Sequence, residues 1–212
     1  MQVLALASQK GGAGKTTLSG HLAVEAERTG FGPVALVDTD PQHSLTDWWN
    51  VRAADTPLLA RVALADIRTG LEALHAQGVR LVIIDTPPAI TENIRAVVVV
   101  SDMVLIPTRP SPHDLRAVGA TVDLVEAAGA PMVFVVNGAA NRARITGEAA
   151  VALSQHGVVA PVTIYQRTDF ATSMTDGRTV QELDPESRSA EEIKQLWTYV
   201  SKRISKQASR AA

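Results

Sequence analysis

Short apolar runs rich in β-branched residues recur along this chain, with helix-length segments between them, and that alternation limits the fold more than any other feature. Val3–Ala7, Val34–Val37, Leu81–Ile84, Met103–Ile106 and Met132–Val136 read as buried strands, and Val158–Ile164 as a sixth. Each is too short for a helix and is bounded by turn signals. Thr17–Arg28, Leu64–Ala76, His113–Ala127, Thr146–Gln155 and Ala190–Lys206 have helical character. Gly30, Gly78, Gly129 and Gly157 fall where helices should stop. Strand–helix alternation predicts an α/β fold: a mostly parallel, twisted sheet with right-handed crossovers and helices on both faces. No internal repeat or linker divides the 212 residues, so one domain over 1–212 is expected.

Composition narrows the chemistry. The chain has no cysteine, which excludes disulfides, thiolate metal sites, iron–sulfur clusters and a cysteine nucleophile. The start runs directly into a strand pattern rather than a leader, and the longest apolar runs, such as Ala96–Val100, are too short to span a bilayer. The cytoplasm is the expected location. Net charge is −2, unevenly spread: ten Lys and Arg stand against fourteen Asp and Glu up to Ala139, and ten against eight from Ala140 onward. A mildly basic last third hints at a polyanion-facing surface, and suits an ordinary mixed surface equally well.

The segment Ser8-Gln9-Lys10-Gly11-Gly12-Ala13-Gly14-Lys15-Thr16-Thr17 lies between the first strand and the first helix. Its glycines allow the backbone to curl with N–H groups turned inward on a polyanion, and the helix that follows adds its unpaired amides and dipole. Gly11, Gly12, Ala13, Gly14, Lys15, Thr16 and Thr17 are therefore the expected nucleotide-binding residues. Lys15 is placed for the β- and γ-phosphates and Thr16 for Mg²⁺. Two strands end in carboxylates: Asp38-Thr39-Asp40-Pro41-Gln42, and Asp85-Thr86-Pro87-Pro88. Ligands of open parallel sheets bind at the carboxyl ends of strands, so these acids and the loop should meet. Asp85 and Thr16 are the expected Mg²⁺ residues, Asp85 through a metal-bound water, with Asp38 behind them as a structural group or one that acts on the metal indirectly. Taken singly, a strand-end acid also suits a helix cap or turn. Asn137 ends another strand, where its amide suits an adenine edge or a turn.

The ordinary phosphate-loop pattern would place a glycine where this chain has Gln9. In its stead Lys10-Gly11-Gly12-Ala13-Gly14-Lys15-Thr16-Thr17 resembles, at all eight positions, the deviant Walker A motif of the ParA/MinD family of P-loop ATPases. The resemblance extends over nearly the whole chain, including Asp38–Gln42, the proline-braced Pro107–Pro112 loop, and Asp176-Gly177-Arg178-Thr179-Val180. It is closest to short, ParF-like partition ATPases that lack an N-terminal helix-turn-helix domain. It implies an ATP- and Mg²⁺-dependent ATPase that forms a homodimer across its nucleotides. In such a dimer Lys10 crosses to the other subunit's phosphates and, with Lys15 and Asp40, is catalytic; Asp40 positions the attacking water. It further implies nucleoid association through non-specific DNA binding by the ATP-bound dimer, and a small ParB- or ParG-like partner that stimulates hydrolysis. Arg167 and Arg178, then Arg142 and Arg144, are the expected DNA contacts, although each also suits an ordinary surface ion pair.

Two other classes stay open. One is a metabolic P-loop ligase of the dethiobiotin-synthetase kind, against which Lys10 argues. The other is a MinD-like membrane-cycling ATPase. Ile193, Leu196, Trp197, Val200 and Ile204 share one helical face and are followed by Lys202, Arg203, Lys206 and Arg210, as in a helix that lies on anionic lipid. The expectation is instead that this helix docks on the sheet and that a membrane is not a partner. Trp48 and Trp49 are read as packing residues.

Overall fold

A computed structural model describes residues 1–88 and 92–211, the side chains of 92, 93 and 208–211 (Arg210 among them) excepted. Seven parallel strands form one sheet: β1 (Gln2–Leu6), β2 (Val34–Asp38), β3 (Leu58–Leu59), β4 (Leu81–Asp85), β5 (Met103–Thr108), β6 (Met132–Ala139) and β7 (Val158–Tyr165). They lie in the order β3-β2-β4-β1-β5-β6-β7. Nine described α-helices and a 3-10 turn (Leu64–Asp66) complete the chain: α1 (Lys15–Arg28), α2 (Ser44–Asn50), α3 (Ile67–Ala76), α4 (Glu92–Val99), α5 (Pro112–Ala127), α6 (Arg144–Ser154), α7 (Thr168–Met174), α8 (Val180–Leu183) and α9 (Arg188–Ala211). This is the parallel α/β architecture, with helices on both faces, that the alternation predicts. All six expected strands are present, and β3, α2, α4, α7 and α8 are additions.

Alternate residues of the strands serve two cores, as the period of two requires. Leu4, Leu6, Leu36, Ile83 and Leu105 face a layer built from α1, α2, α7, α8 and α9. Val3, Ala5, Val37, Ile84 and Ile106 face α3, α4, α5 and α6. Phe134, one of few aromatics, is fully buried on the second side. In α9 the residues Ile193, Leu196, Trp197, Val200 and Ile204 are all buried against the first core. The amphipathic face is thus spent on the sheet, as expected.

The crossover helices stop by one device. After α1, α3 and α5 a glycine in the left-handed region donates to the carbonyl three residues back, and the next residue donates five back: Gly30 with Phe31, Gly78 with Val79, Gly129 with Ala130. Each is a Schellman closure. Gly157 departs from the expectation. It has no positive φ, and a Cβ there would stand 3.3 Å from the Phe134 ring, so close packing is what it serves.

Two further links organise the site side of the sheet. The His21 imidazole, on α1, is fully buried. Its Nδ1 donates to the Thr17 carbonyl at 2.7 Å and its Nε2 accepts from the Val180 N–H at 3.3 Å, which joins α1 to α8. At the end of α2, Arg52 donates to the Gly177 carbonyl at 2.7 Å and to both oxygens of Glu182, and lies over the Trp48 ring. Trp48 itself donates to the Arg178 carbonyl at 3.1 Å and Trp49 to the Pro57 carbonyl at 2.8 Å, so both indoles pack as expected. Gly177, at φ 79, passes so near Arg52 that a Cβ would stand 2.4 Å from the Arg52 Cα.

Candidate nucleotide site

The loop between β1 and α1 is shaped by two left-handed glycines, Gly12 (φ 73) and Gly14 (φ 95). Gly14 caps α1, and the first helical bond closes from the Leu18 N–H to its carbonyl at 2.9 Å. The N–H groups of Lys15, Thr16 and Thr17 have no carbonyl inside the helix and form its positive end. A Cβ at Gly14 would meet the Asn137 Nδ2 at 2.1 Å, so only glycine fits there. That Nδ2 donates to the Ala13 carbonyl at 2.6 Å. Lys15 is buried under the loop, where its Nζ donates to the carbonyls of Ser8 (3.3 Å) and Lys10 (3.4 Å). Burial lowers the Lys15 ammonium's pKa, and the nearby charges of Asp85 and Asp40 oppose that shift.

The strand register brings the acids to this loop. Asp85 pairs across β4 with Leu6 of β1 on one side and Asp38 of β2 on the other. The Thr16 hydroxyl donates to Asp85 Oδ2 at 2.6 Å. Asp85 is fully buried, and its Oδ1 has no hydrogen-bond partner among the described residues. Burial pushes its pKa up to about 7; the Thr16 hydrogen bond and Lys15 pull downward, while Asp38 and Asp40 push upward. An unpartnered buried carboxylate oxygen beside a hydroxyl is a donor set for a hard cation such as Mg²⁺. Among the described residues no group of three or more His, Cys, Asp or Glu side chains could hold a metal. A Mg²⁺ at Thr16 and Asp85 would therefore take its other ligands from phosphate oxygens and water.

Asp38 and Asp40 face different ways. Asp38 Oδ1 accepts from the Asp40 N–H at 3.1 Å, and its Oδ2 accepts from the Thr46 N–H and hydroxyl, both at 2.9 Å. Both oxygens are thus engaged by protein donors, so Asp38 brackets the loop onto the start of α2, the structural one of its two expected roles. Asp40 lines the cleft beside Lys15, with its Oδ1 accepting from the Gln42 N–H at 2.9 Å. Thr39 fixes the segment by donating twice to the Asp85 carbonyl. Lys10 is exposed and lies outside that cleft, in a separate groove with Gln9, His113, Arg116 and Ala117.

The cleft measures about 780 Å³. Its phosphate side is Gly11, Gly12 and Gly14 to Thr17 with Asp40; the other side is formed by Trp48, Asn137, Gly138, Tyr165, Gln166 and Phe170. Asn137 stands where a base reader was expected, but its amide N–H₂ grips the phosphate loop. Arg109, which the sequence shows only as part of a proline-braced turn, also reaches the cleft. Its signal was the charge itself, a cation between two prolines just past a strand end.

The four candidate DNA arginines are not equivalent. Arg167 forms an ion pair with Glu192 at 2.5 Å, with only 20% and 12% of the side chains exposed, and lies over the Tyr165 ring. It joins β7 to α9, the ion-pair role that the sequence left open for it beside DNA contact. Arg178 pairs with Asp176 and Arg144 with Glu148, both at the surface. Arg142 is exposed and shows no ion pair among the described residues.

Residues 4–180 match the family model described as the CobQ/CobB/MinD/ParA nucleotide binding domain. The chain belongs to that family. As a MinD/ParA-type nucleotide-binding chain it is 31% identical over 205 residues to a protein named for the maintenance of carboxysome distribution, protein A of Halothiobacillus neapolitanus, covering 91% of this chain and 93% of that one. It is 32% identical over 152 residues to the chromosome-partitioning ATPase Soj of Thermus thermophilus, covering 58% of this chain and 61% of Soj. The MinC:MinD cell division complex of Aquifex aeolicus shares the fold, with a TM-score of 0.80 at 16% identity over 95% of this chain and 96% of that chain.

Proposed function

We propose that this chain is a cargo-positioning ATPase of the partition type. It binds ATP with Mg²⁺, closes into a homodimer across the nucleotides, holds DNA without sequence preference in that state, and is reset by hydrolysis that a small partner protein stimulates. The observation that carries the reading is the separation of the two loop lysines. Lys15 is buried under the loop with Thr16, Asp85 and Asp40 around it, while Lys10 is exposed on the far side, where a second copy can receive it. Relatives named for carboxysome distribution and chromosome partitioning support the positioning role.

The residues divide the work. Lys15, the loop amides and the α1 end hold the β- and γ-phosphates. Thr16 and Asp85 hold Mg²⁺, which supplies charge neutralisation on the phosphate oxygens. Asp40 accepts a hydrogen bond from the attacking water, and Asp38 holds Asp40 in place. Lys10 adds a cation to the partner's transferring phosphoryl group. A membrane-cycling role is disfavoured by the burial of the α9 apolar face.

Asp40→Ala should retain ATP and accumulate as a dimer in size-exclusion chromatography, with little phosphate release; hydrolysis at the parent rate would refute the role of Asp40. DNA binding, read by anisotropy with ATP, ADP and no nucleotide, should require ATP. Arg142→Glu should weaken it on every sequence and reduce the log–log salt slope by roughly 0.9 for each lost phosphate contact. Equal binding in all three nucleotide conditions would refute the switch.

A further inference from the structure

We infer that Arg109 is a second phosphate-binding cation of this same cleft, supplied by the chain that holds the nucleotide; the inference rests on the nucleotide reading above. Arg109 follows β5 and comes down beside the loop from the side opposite Asp40. Two glycines along its path give its direction. The stem passes Gly138, where a Cβ would stand 3.5 Å from Nε and 3.6 Å from Cγ. The tip reaches the loop, where a Cβ on Gly12 would stand 4.0 Å from Nη2. The fork therefore points from β6 across the cleft toward the glycines of the phosphate loop.

The backbone beneath it is braced. Pro107 and Thr108 are the last residues of β5, and Thr108 is 2% exposed. The Ser111 N–H donates to the Arg109 carbonyl at 2.8 Å, and Ser111 caps α5 by accepting from the Asp114 N–H at 3.1 Å. The base of the side chain is thus held, yet its five donors meet no carboxylate or carbonyl among the described residues. Arg167, the other arginine lining the cleft, is already engaged by Glu192. A planar fork with unused donors, aimed at a loop built for phosphate, suits bidentate contact with a polyphosphate. Because Arg109 lies within the cleft of its own chain, its contribution should be present for ADP as well as ATP and should not need a second subunit, unlike that of Lys10.

The test is calorimetric titration of the full chain with Mg·ADP, comparing the parent, Arg109→Gln, Arg109→Lys and Lys15→Ala. Arg109→Gln is expected to weaken Mg·ADP by roughly tenfold or more, as for a lost hydrogen bond to a charged group, with Arg109→Lys between it and the parent. The inhibition constant of inorganic triphosphate, corrected for each variant's own affinity for a fluorescent ADP analogue, should also rise in Arg109→Gln. Unchanged Mg·ADP affinity in Arg109→Gln, with binding lost in Lys15→Ala, would overturn the assignment of Arg109 and leave the phosphate loop standing. An unchanged triphosphate inhibition constant would place Arg109 on the base or sugar and overturn the assignment too. Parent-like binding by Lys15→Ala would instead overturn the nucleotide reading beneath it.

Discussion

The His21→Asn substitution should cost stability in a way that fades in acid. His21 is fully buried, and burial lowers its pKa from 6.5 to about 4; the Thr17 carbonyl and the charges of Glu182 and Asp169 only partly oppose this. The unfolded chain takes up a proton on this side chain near pH 6.5, whereas the folded chain resists it until about 4. Between those values acid favours the unfolded chain, so the parent is unaffected above about 6.5 and loses stability as pH falls toward 4. A tenfold difference in proton affinity corresponds to about 1.4 kcal/mol, so by pH 5 the parent should lose about 2 kcal/mol through this residue. At pH 7.5 the variant should be less stable by about 1–3 kcal/mol, because the Val180 N–H loses its acceptor. The gap should therefore shrink by about 2 kcal/mol between pH 7.5 and pH 5. Asp85, raised from 3.8 to about 7, and Glu25, also raised, act in the opposite direction over the same range. Both are common to the two proteins and cancel in the difference. Urea unfolding of parent and variant at pH 7.5, 6.5, 5.5 and 5.0 measures it. A gap that stays constant across those four points would refute a neutral, buried His21.

Two further outcomes separate groups that a sequence cannot. Asp85→Asn should remove most of the Mg²⁺ dependence of ATP affinity, by roughly tenfold or more, since the remaining side chain brings no charge to the cation; titrations with and without Mg²⁺ that match the parent would refute the assignment. Arg167→Ala should lower unfolding stability by about 1–3 kcal/mol by leaving Glu192 without its partner, yet leave ATP-dependent DNA affinity close to the parent's; a selective loss of DNA binding at unchanged stability would restore Arg167 to the DNA surface.

The strands were legible because they are buried on both faces and so read as unbroken β-branched runs. β3 has two residues, Leu58 and Leu59, which is too few for any period to show. Helix α2 was hidden for a related reason: over seven residues its buried face is Leu45 and Trp48 alone. At the site, the loop announced itself through glycines and Lys15, because backbone geometry and chain order suffice to build it. The division of labour between Asp38 and Asp40 came from the family resemblance rather than from the residues themselves, since the two acids differ only in which way each is turned after β2. Which of the two roles open to Arg167 it takes up was not legible, because its partner, Glu192, lies 25 residues later and meets it only once α9 has packed. Local charge counts are blind to such pairs. Arg109 is the converse, a charge that stays unpaired because the folded chain brings no acid to it among the described residues.

The crossing of Gly177 over Arg52 has a meaning for how this sequence can change over time. Most tight spots in a protein can be relieved by a second substitution, a smaller neighbour making room for a larger newcomer. Here the neighbouring atoms are the Arg52 Cα and N and the Val51 carbonyl carbon, at 2.4, 2.5 and 2.8 Å from a side chain at position 177. No exchange of residue type removes main chain. Position 177 therefore has no compensating partner, and drift at this crossing should be confined to the side chains around it, unless the whole path from α2 to α8 is rerouted by insertion or deletion.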